Sequence, residues 1–434
     1  MAEIAMMKTQ AETALADLFA RSKSLLPGDA RSREDAFHRF AVKGLPHRRV
    51  EEWKYTDLRA LMREVAPLAA KPDAAAIEAA LAVESVFAAA EPATIAFVNG
   101  HLAKADAMPD GVAAVSLAQA LAEGHPLLSK LGAVSDAEGN AAYALNAAFM
   151  TDGVVLHVTK RVEGRVALRF VTTGASAVST ATRVLVVVEE DAAISLLETH
   201  ESANGLAHQP NDVVEFVVGD RAEVAHVRLN AESDAALALS TVTAHLGAQA
   251  AFGSRNIVAG SGLSRHQVWM TFAGADTKGA VRGATMLGGS QHADTTLVVN
   301  HLATGCESRE LFKTAIDGRA TGVFQGRINV APQAQKTDGK MMSAAVLLSE
   351  EGTMMNKPEL EIFADDVQCA HGATCGELDD DLLFYLMARG LPRPEAEALL
   401  IESFLGEAVE EDLDDAIVGE ALMGIVEAWL KKRG

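Results

Sequence analysis

VVLHV (154–158), VALRFV (166–171), RVLVVVEE (183–190), AISLLETH (193–200) and DVVEFVV (212–218) follow one another closely along the chain. AEVAHVRLN (222–230), ALALSTVTAHL (236–246), HQVWMTF (266–272), TTLVVNHL (295–302) and GVFQGRINV (322–330) continue the series. These short runs are rich in β-branched residues and partly alternate apolar with polar positions, the pattern of strands on a half-buried surface. No segment of helical period separates them over roughly 200 residues, which disfavours alternating strand–helix–strand units. Proline, which cannot donate to a β-ladder, is confined to Pro210 and Pro332 between 150 and 355. Two architectures satisfy the pattern. One is a β-sandwich; the other is a β-solenoid whose coils stack on one continuous core. No tight repeat of fixed period chooses between them. A solenoid also leaves end coils whose edges must be capped or paired with another chain.

Both flanks read differently. AETALADLFARSKSLL (11–26) gathers Leu15, Leu18, Phe19 and Leu25 near one helical face, and Pro27-Gly28-Asp29 ends it. A second helix fits Arg33–Lys43, with Phe37 and Phe40 three apart. LPHRRVEEWKYTDL (45–58) sets Trp53 and Tyr55 among charges, either as a surface loop with two anchoring aromatics or as a segment docked on a neighbouring surface. Residues 66–140 are Ala-rich and weakly patterned, with a short strand expected over Thr94–Asn99. Beyond Lys357, PELEIFADDVQCAHGATCG (358–376) reads as a last extended stretch. Asp379 or Asp380 then caps a helix over about 381–389, which stops at Gly390. EAEALLIESFLGEAV (395–409) is amphipathic behind Pro394. Leu413, Ile417, Ala421, Ile425 and Trp429 recur every four residues in a third helix, which ends in Lys431, Lys432 and Arg433.

The chain has 434 residues, a prior of about three domains. It is 49% apolar and 22% charged, the composition of a packed protein that needs no disulfide staples. Its 38 basic residues against 59 acidic ones give a net charge of −21. That argues against a general nucleic-acid binder and against docking on anionic lipid. Residues 377–415 hold thirteen acidic residues against two arginines, a net −11. This is either a solvated helical face or a docking surface for a basic partner. Three cysteines, Cys306, Cys369 and Cys375, with no CxxC, suit a reducing cytoplasm. Residues 1–10 lack the pattern of a signal peptide, and no run of about 18 uncharged apolar residues offers a membrane span.

Most catalytic motifs are missing. DGKMMS (338–343) lacks the hydroxyl after its lysine and GADTKG (274–279) lacks the GK pair, so no P-loop nucleotide site is expected. No HExxH, GxSxG or spaced CxxC pair occurs. The one concentration of soft ligands is Cys369-Ala370-His371, with Cys375 six residues beyond Cys369. On a strand, Cys369 and His371 share a face. Thiolate and imidazole suit zinc or iron–sulfur iron, but a site usually needs four ligands. By spacing alone a structural cysteine and a hydrogen-bonded histidine are the default, unless a second chain completes the set. Cys306 in HLATGCESRE (301–310) reads as a small buried residue, and Asp365–Asp366 as a turn.

Residues 356–405, NKPELEIFADDVQCAHGATCGELDDDLLFYLMARGLPRPEAEALLIESFL, closely resemble the SufB/SufD family of the Suf iron–sulfur cluster assembly system. RRVEEWKYTDL (48–58) resembles that family's N-terminal signature, and LNAAFMTDGVVLHV (145–158) the entry to its shared core. The resemblance is to the SufD branch: SufB typically carries Glu after the equivalent histidine, where this chain has Gly372.

The resemblance implies a mainly β protein, with a right-handed parallel β-helix core between N-terminal and C-terminal helical regions. The divisions fall at 1–140, 141–372 and 373–434. It implies a non-catalytic cytoplasmic scaffold that pairs with SufB through the β-helix, self-pairs as a homodimer when alone, and docks the SufC ATPase on its C-terminal helices. His371 aligns with the family's SufB-facing histidine, a proposed ligand of a nascent Fe–S cluster shared with SufB. Cys369 matches the neighbouring family cysteine, and Cys375 receives no role. The family complex binds a reduced flavin, but no flavin site is legible in the sequence. Three rival readings stand beside this one: an independent metal or Fe–S protein built on Cys369, His371 and Cys375; a β-helix enzyme acting on polysaccharide, for which no acidic or basic cluster can be assembled; and a pure interaction protein with no metal role.

Overall fold

The computed structural model describes residues 7–133, 136–202 and 205–433. The absence of a signal peptide was read on residues 1–10, of which 1–6 lie outside the described residues. The first strands are β1 (Ala93–Val98), β2 (His101–Ala105), β3 (Val112–Ser116), β4 (Asp152–Val158), β5 (Val166–Thr172), β6 (Ser179–Val188) and β7 (Ala193–Ser202). They are followed by β8 (Gln209–Val218), β9 (Glu223–Ala231), β10 (Leu237–Leu246), β11 (Ala251–Val258), β12 (Leu263–Phe272) and β13 (Lys278–Leu287). The last are β14 (His292–His301), β15 (Glu307–Ile316), β16 (Thr321–Val330), β17 (Asp338–Leu347), β18 (Thr353–Ile362) and β19 (Gln368–Gly376).

From β4 onward the strands alternate between two sheets. Even-numbered strands run from β4 to β18 in one, odd-numbered strands from β5 to β19 in the other, and every pairing within these runs is parallel. This is a parallel β-solenoid of about seven turns, and the sandwich reading is excluded. Leu263 pairs with His292 and His292 with Thr321, so successive coils advance by 29 residues here. Elsewhere the advance differs, as in Leu237 with Leu263 and Thr321 with Thr353, which is why no fixed sequence period is visible. The lumen is filled by stacked apolar side chains such as Val186, Phe216, Leu246, Phe272, Val299 and Ile328. One corner is turned by Gly219, Gly247 and Gly274, where coils stack backbone on backbone. A Cβ on Gly274 would lie 2.0 Å from the Ala248 nitrogen, so only glycine fits.

The two ends differ. β1 adds to the odd sheet parallel to β5, and β2 folds back antiparallel on β1. β3 runs antiparallel to β4 on the even sheet. β2 and β3 are the terminal strands of their sheets, and Leu102 and Val112 from them pack on the lumen core; only the strand over 94–99 was expected. At the other end the single extended stretch expected over 358–376 is two strands, β18 and β19, on opposite sheets with a turn between them. Each pairs on one side only.

The N-terminal helices α1 (Gln10–Ser22) and α2 (Ala30–Lys43) bury Leu15, Phe19 and Phe40. α1 opens with a Thr9/Glu12 capping box and ends four residues before the expected limit, leaving Leu25 exposed rather than on its apolar face. Asp29, read as part of a stop, is also the N-cap of α2. After the short helices α3 (Leu58–Leu61), α4 (Ala74–Leu81) and α5 (Leu117–Glu123), α6 (Ala141–Phe149) packs against α2. Arg33 ties the two, donating to the carbonyls of Pro27 at 2.9 Å and Ala148 at 3.0 Å.

The chain closes with α7 (Asp380–Ala388), capped by Asp379, then α8 (Arg393–Glu410) and α9 (Ala416–Arg433). α8 and α9 cover the outer face of the odd sheet, with Leu405, Val409 and Leu422 against Val227, Ile257 and Met286. The fully buried row of α9 is Val418, Leu422 and Val426, one residue on from the expected stripe, and Ile417 is exposed. Among the described residues no helix is long and apolar enough to cross a membrane.

Candidate functional site

β19 is the last strand of the odd sheet, and its outer edge carries no neighbouring strand. His371 pairs in register with Met341, which is buried in the lumen core, and paired residues of a parallel ladder face the same side. His371 therefore sits on the lumen-facing side of the final coil and is exposed because no further coil covers it. Cys369 lies on the same face opposite Gly339, partly buried against the lumen core. Burial pushes its thiol up; the Gly339 backbone opposes this, and Asp338 and Glu310 add to it. Cys375 is on that face too, opposite Ala345, but about 13 Å along the strand from His371. Among the described residues no three His, Cys, Asp or Glu side chains form a metal-ligand set. Cys306 is buried in the lumen and donates its S–H to the Gly274 carbonyl at 3.3 Å, and burial raises its pKa. Asp366 is in the turn before β19, its carbonyl accepting from the Lys336 N–H at 2.6 Å.

Behind Cys369 lie polar groups that the sequence did not single out. Ser308 and Glu310 of β15 pair with Gly339 and Met341 of β17, the residues opposite Cys369 and His371. Glu310 is 2% exposed, and neither of its carboxyl oxygens has a hydrogen-bond partner. Burial pushes its pKa up to about 8, the nearby Ser308 hydroxyl opposing. That hydroxyl is engaged with His301 Nε2 at 3.1 Å. These residues escape a sequence reading because ESRELF is too polar to register as a strand.

The charged aromatic segment near the N-terminus folds onto the chain's own solenoid. Trp53 lies beneath the Arg265 guanidinium, 4.2 Å from its ring centroid. Arg265 pairs with Asp294 and donates to the Glu52 carbonyl at 2.6 Å, and Gln325 donates to the same carbonyl at 3.1 Å. The Thr56 hydroxyl donates to Asp294, and Lys357 pairs with Glu51. RRVEEWKYTDL is thus a latch that holds the N-terminal helices on the even sheet.

Comparison with known proteins agrees with this architecture. Residues 170–404 match the SUF system FeS cluster assembly SufBD core domain, and residues 9–169 match the SufBD protein N-terminal region. An iron–sulfur cluster assembly SufBD family protein of Synechocystis is 31% identical over 85% of this chain and 84% of its own length. The iron–sulfur cluster assembly protein SufD of Escherichia coli is 32% identical over 54% of this chain and 56% of its own. SufD of Bacillus subtilis is 27% identical over 66% of each. Two family domains laid end to end over a capped solenoid, with the same proteins similar along most of it, make this chain a member of the SufBD family of iron–sulfur cluster assembly proteins.

Proposed function

We propose that this chain is the SufD-type scaffold of a cytoplasmic cluster-assembly complex, a non-catalytic subunit that presents its open coil to SufB. The observation that carries this reading is the asymmetry of the solenoid: its first end finishes in antiparallel strands with Leu102 and Val112 packed on the lumen core, while its last coil leaves the parallel edges of β18 and β19 bare, with His371 exposed on β19. The nascent iron–sulfur cluster is cargo, and His371 supplies it one neutral imidazole nitrogen. SufB supplies the remaining donors, consistent with the absence of a three-ligand set within the described residues of this chain. Cys369 stands beside His371 as the second donor of this chain.

The acidic α7–α8 segment fits the docking of SufC, the ATPase, since α7 leaves Leu382, Phe384 and Tyr385 exposed amid carboxylates. Closure of two SufC chains then shifts the SufB–SufD interface and opens the cluster site. In the absence of SufB, the open end pairs with a second copy.

Co-expression with SufB and SufC tests the assembly. A stable ternary complex by light scattering is the expected result, and no association would refute the scaffold role. Within that complex, His371→Ala should cut cluster yield several-fold, read by visible absorption and bound iron, while leaving assembly and melting temperature unchanged. An unaltered yield would remove His371 from the ligand set.

A further inference from the structure

The latch leaves a hollow between itself and the even sheet. Trp269, Val298 and Arg327 are in register on β12, β14 and β16. They point outward, because Leu297 and Val299 on either side of Val298 fill the lumen. The two large side chains lean apart. Trp269 rests on Tyr143 and Val213, toward the earlier coils, and Arg327 turns toward Glu361, one coil onward. Between them lies a pocket of about 360 Å³ with Val298 as its floor. Val50 and Trp53 of the latch line its other side, with Lys43 at the end of α2 and Asn140 at the start of α6. A pocket at the junction of two layers, with indoles and a few polar groups in its wall, has the character of a small-molecule site.

Arg327 decides the charge of the occupant. Among the described residues its guanidinium makes no hydrogen bond, and its Nε has no partner. Its ion-pair partner Glu361 is 3.6 Å away and half exposed. Lys43 adds a second cation, its Nζ donating to the Gly139 carbonyl at 3.0 Å. Glu52 also lines the pocket, but it is exposed and its carbonyl is taken by Arg265 and Gln325. The spacing and the indoles decide the shape. Trp269 and Arg327 stand two strand spacings apart, about 9.6 Å. That interval holds one ring in contact at about 3.5–4 Å with the indole and a carboxylate about 2.8 Å from the guanidinium. Indole walls favour a flat, aromatic ring over a saturated one.

We propose that this pocket binds a planar aromatic carboxylate, its ring over Val298 against Trp269 and its carboxylate on Arg327. Such a ligand touches the solenoid and the latch at once, so its binding holds the N-terminal layer on the even sheet. The site is on the outer face of the solenoid, apart from His371 and the bare edges of β18 and β19.

The test titrates the full-length chain by calorimetry with 2-naphthoate. One equivalent should bind saturably in the micromolar range and raise the melting temperature. The neutral isostere 2-naphthamide and the saturated decahydro-2-naphthoate should each bind about tenfold more weakly or worse. Arg327→Gln should remove the preference for the acid over the amide. Val298→Phe fills the floor without removing a contact and should abolish binding; should it fail to fold, Val298→Met carries the same test. No saturation at millimolar 2-naphthoate would overturn the site. So would equal binding of acid and amide by the parent, or parent-like affinity in a folded Arg327→Gln or Val298 variant. Equal binding of the saturated acid would overturn the aromatic class.

Discussion

Buried ionisable residues carry the pH response of this protein. Inside the lumen His200 stacks on Phe170 at 4.7 Å and lies between two acids, Glu198 and Asp212, the latter 3.1 Å from its Nδ1. Glu198 also holds His226 Nε2 at 2.9 Å and Arg228 Nε at 3.1 Å. Burial and Arg228 push the His200 imidazole down, but Asp212 and Glu198 more than reverse this and leave it at about 9. Its folded pKa therefore exceeds the unfolded value of about 6.5. The stabilisation, about 3 kcal/mol, is complete below pH 6.5 and is lost as pH rises through 9. Glu310, raised to about 8, adds the same sign below that point, because the folded state keeps a proton that the unfolded chain has released. His301, lowered to about 4, acts only on the acid side of 6.5 and leaves this window untouched. The urea midpoint should accordingly fall between pH 6.5 and 9.5, and His200→Gln should flatten the decline. An equally steep decline in that variant would assign it to other groups.

At the scale of elements, the odd sheet shows where sequence and structure part. The even strands β6 to β16 were legible because their lumen-facing residues are β-branched or aromatic and their flanks alternate. β11, β13, β15 and β17 were missed: AFGSRNIV, KGAVRGATML, ESRELFKTAI and DGKMMSAAVL carry glycine and charge where a strand pattern wants branched residues. The reason is the outer surface they serve. Arg255, Arg282 and Lys313 point out of the sheet to hold the C-terminal helices, Arg282 on Asp412 at 2.5 Å and Lys313 on Glu407 at 2.5 Å. Arg255 donates to the carbonyls of Ala408 at 3.1 Å and Glu411 at 2.6 Å, closing the last turn of α8. These are long-range contacts, and no local pattern encodes them. The rim of the candidate site was legible for the opposite reason. Cys369 and His371 are two residues apart on one strand, whereas Glu310 is brought behind them only through two coils of register. Arg255→Met should cost about 1.5–3 kcal/mol by stranding those carbonyls and should loosen the tail. Amide exchange in α8 and α9 should rise while the lumen strands stay protected, and unaltered tail protection would show that the apolar contacts alone hold the helices.

For the whole molecule, the decisive property is that the two ends of the solenoid differ: antiparallel strands finish the first, bare parallel edges the last. Two open ends would propagate head to tail into a fibre. At the first end β2 and β3 are edge strands that run antiparallel to their neighbours, with Leu102 and Val112 packed on the lumen core, so the two ends do not match each other. An association through β18 and β19 of two copies is therefore isologous and stops at two. In the proposed assembly the same surface receives SufB, so self-pairing and pairing with SufB would compete for one edge. That edge also bares apolar surface: Ile362, which ends β18, is 38% exposed where its register partner Val330 is fully buried, and Phe363 in the turn beyond is 66% exposed. Charges placed there should repel a second coil without touching the lumen or the latch at Trp53. The chain alone should have twice its monomer mass by light scattering. Ile362→Glu with Phe363→Glu should return it to the monomer, weaken pairing with SufB, and leave binding of SufC at the far helices intact. Loss of SufC binding together with SufB would mean that the tail and the open coil act as one surface. A double variant that still dimerises would place self-association on another face.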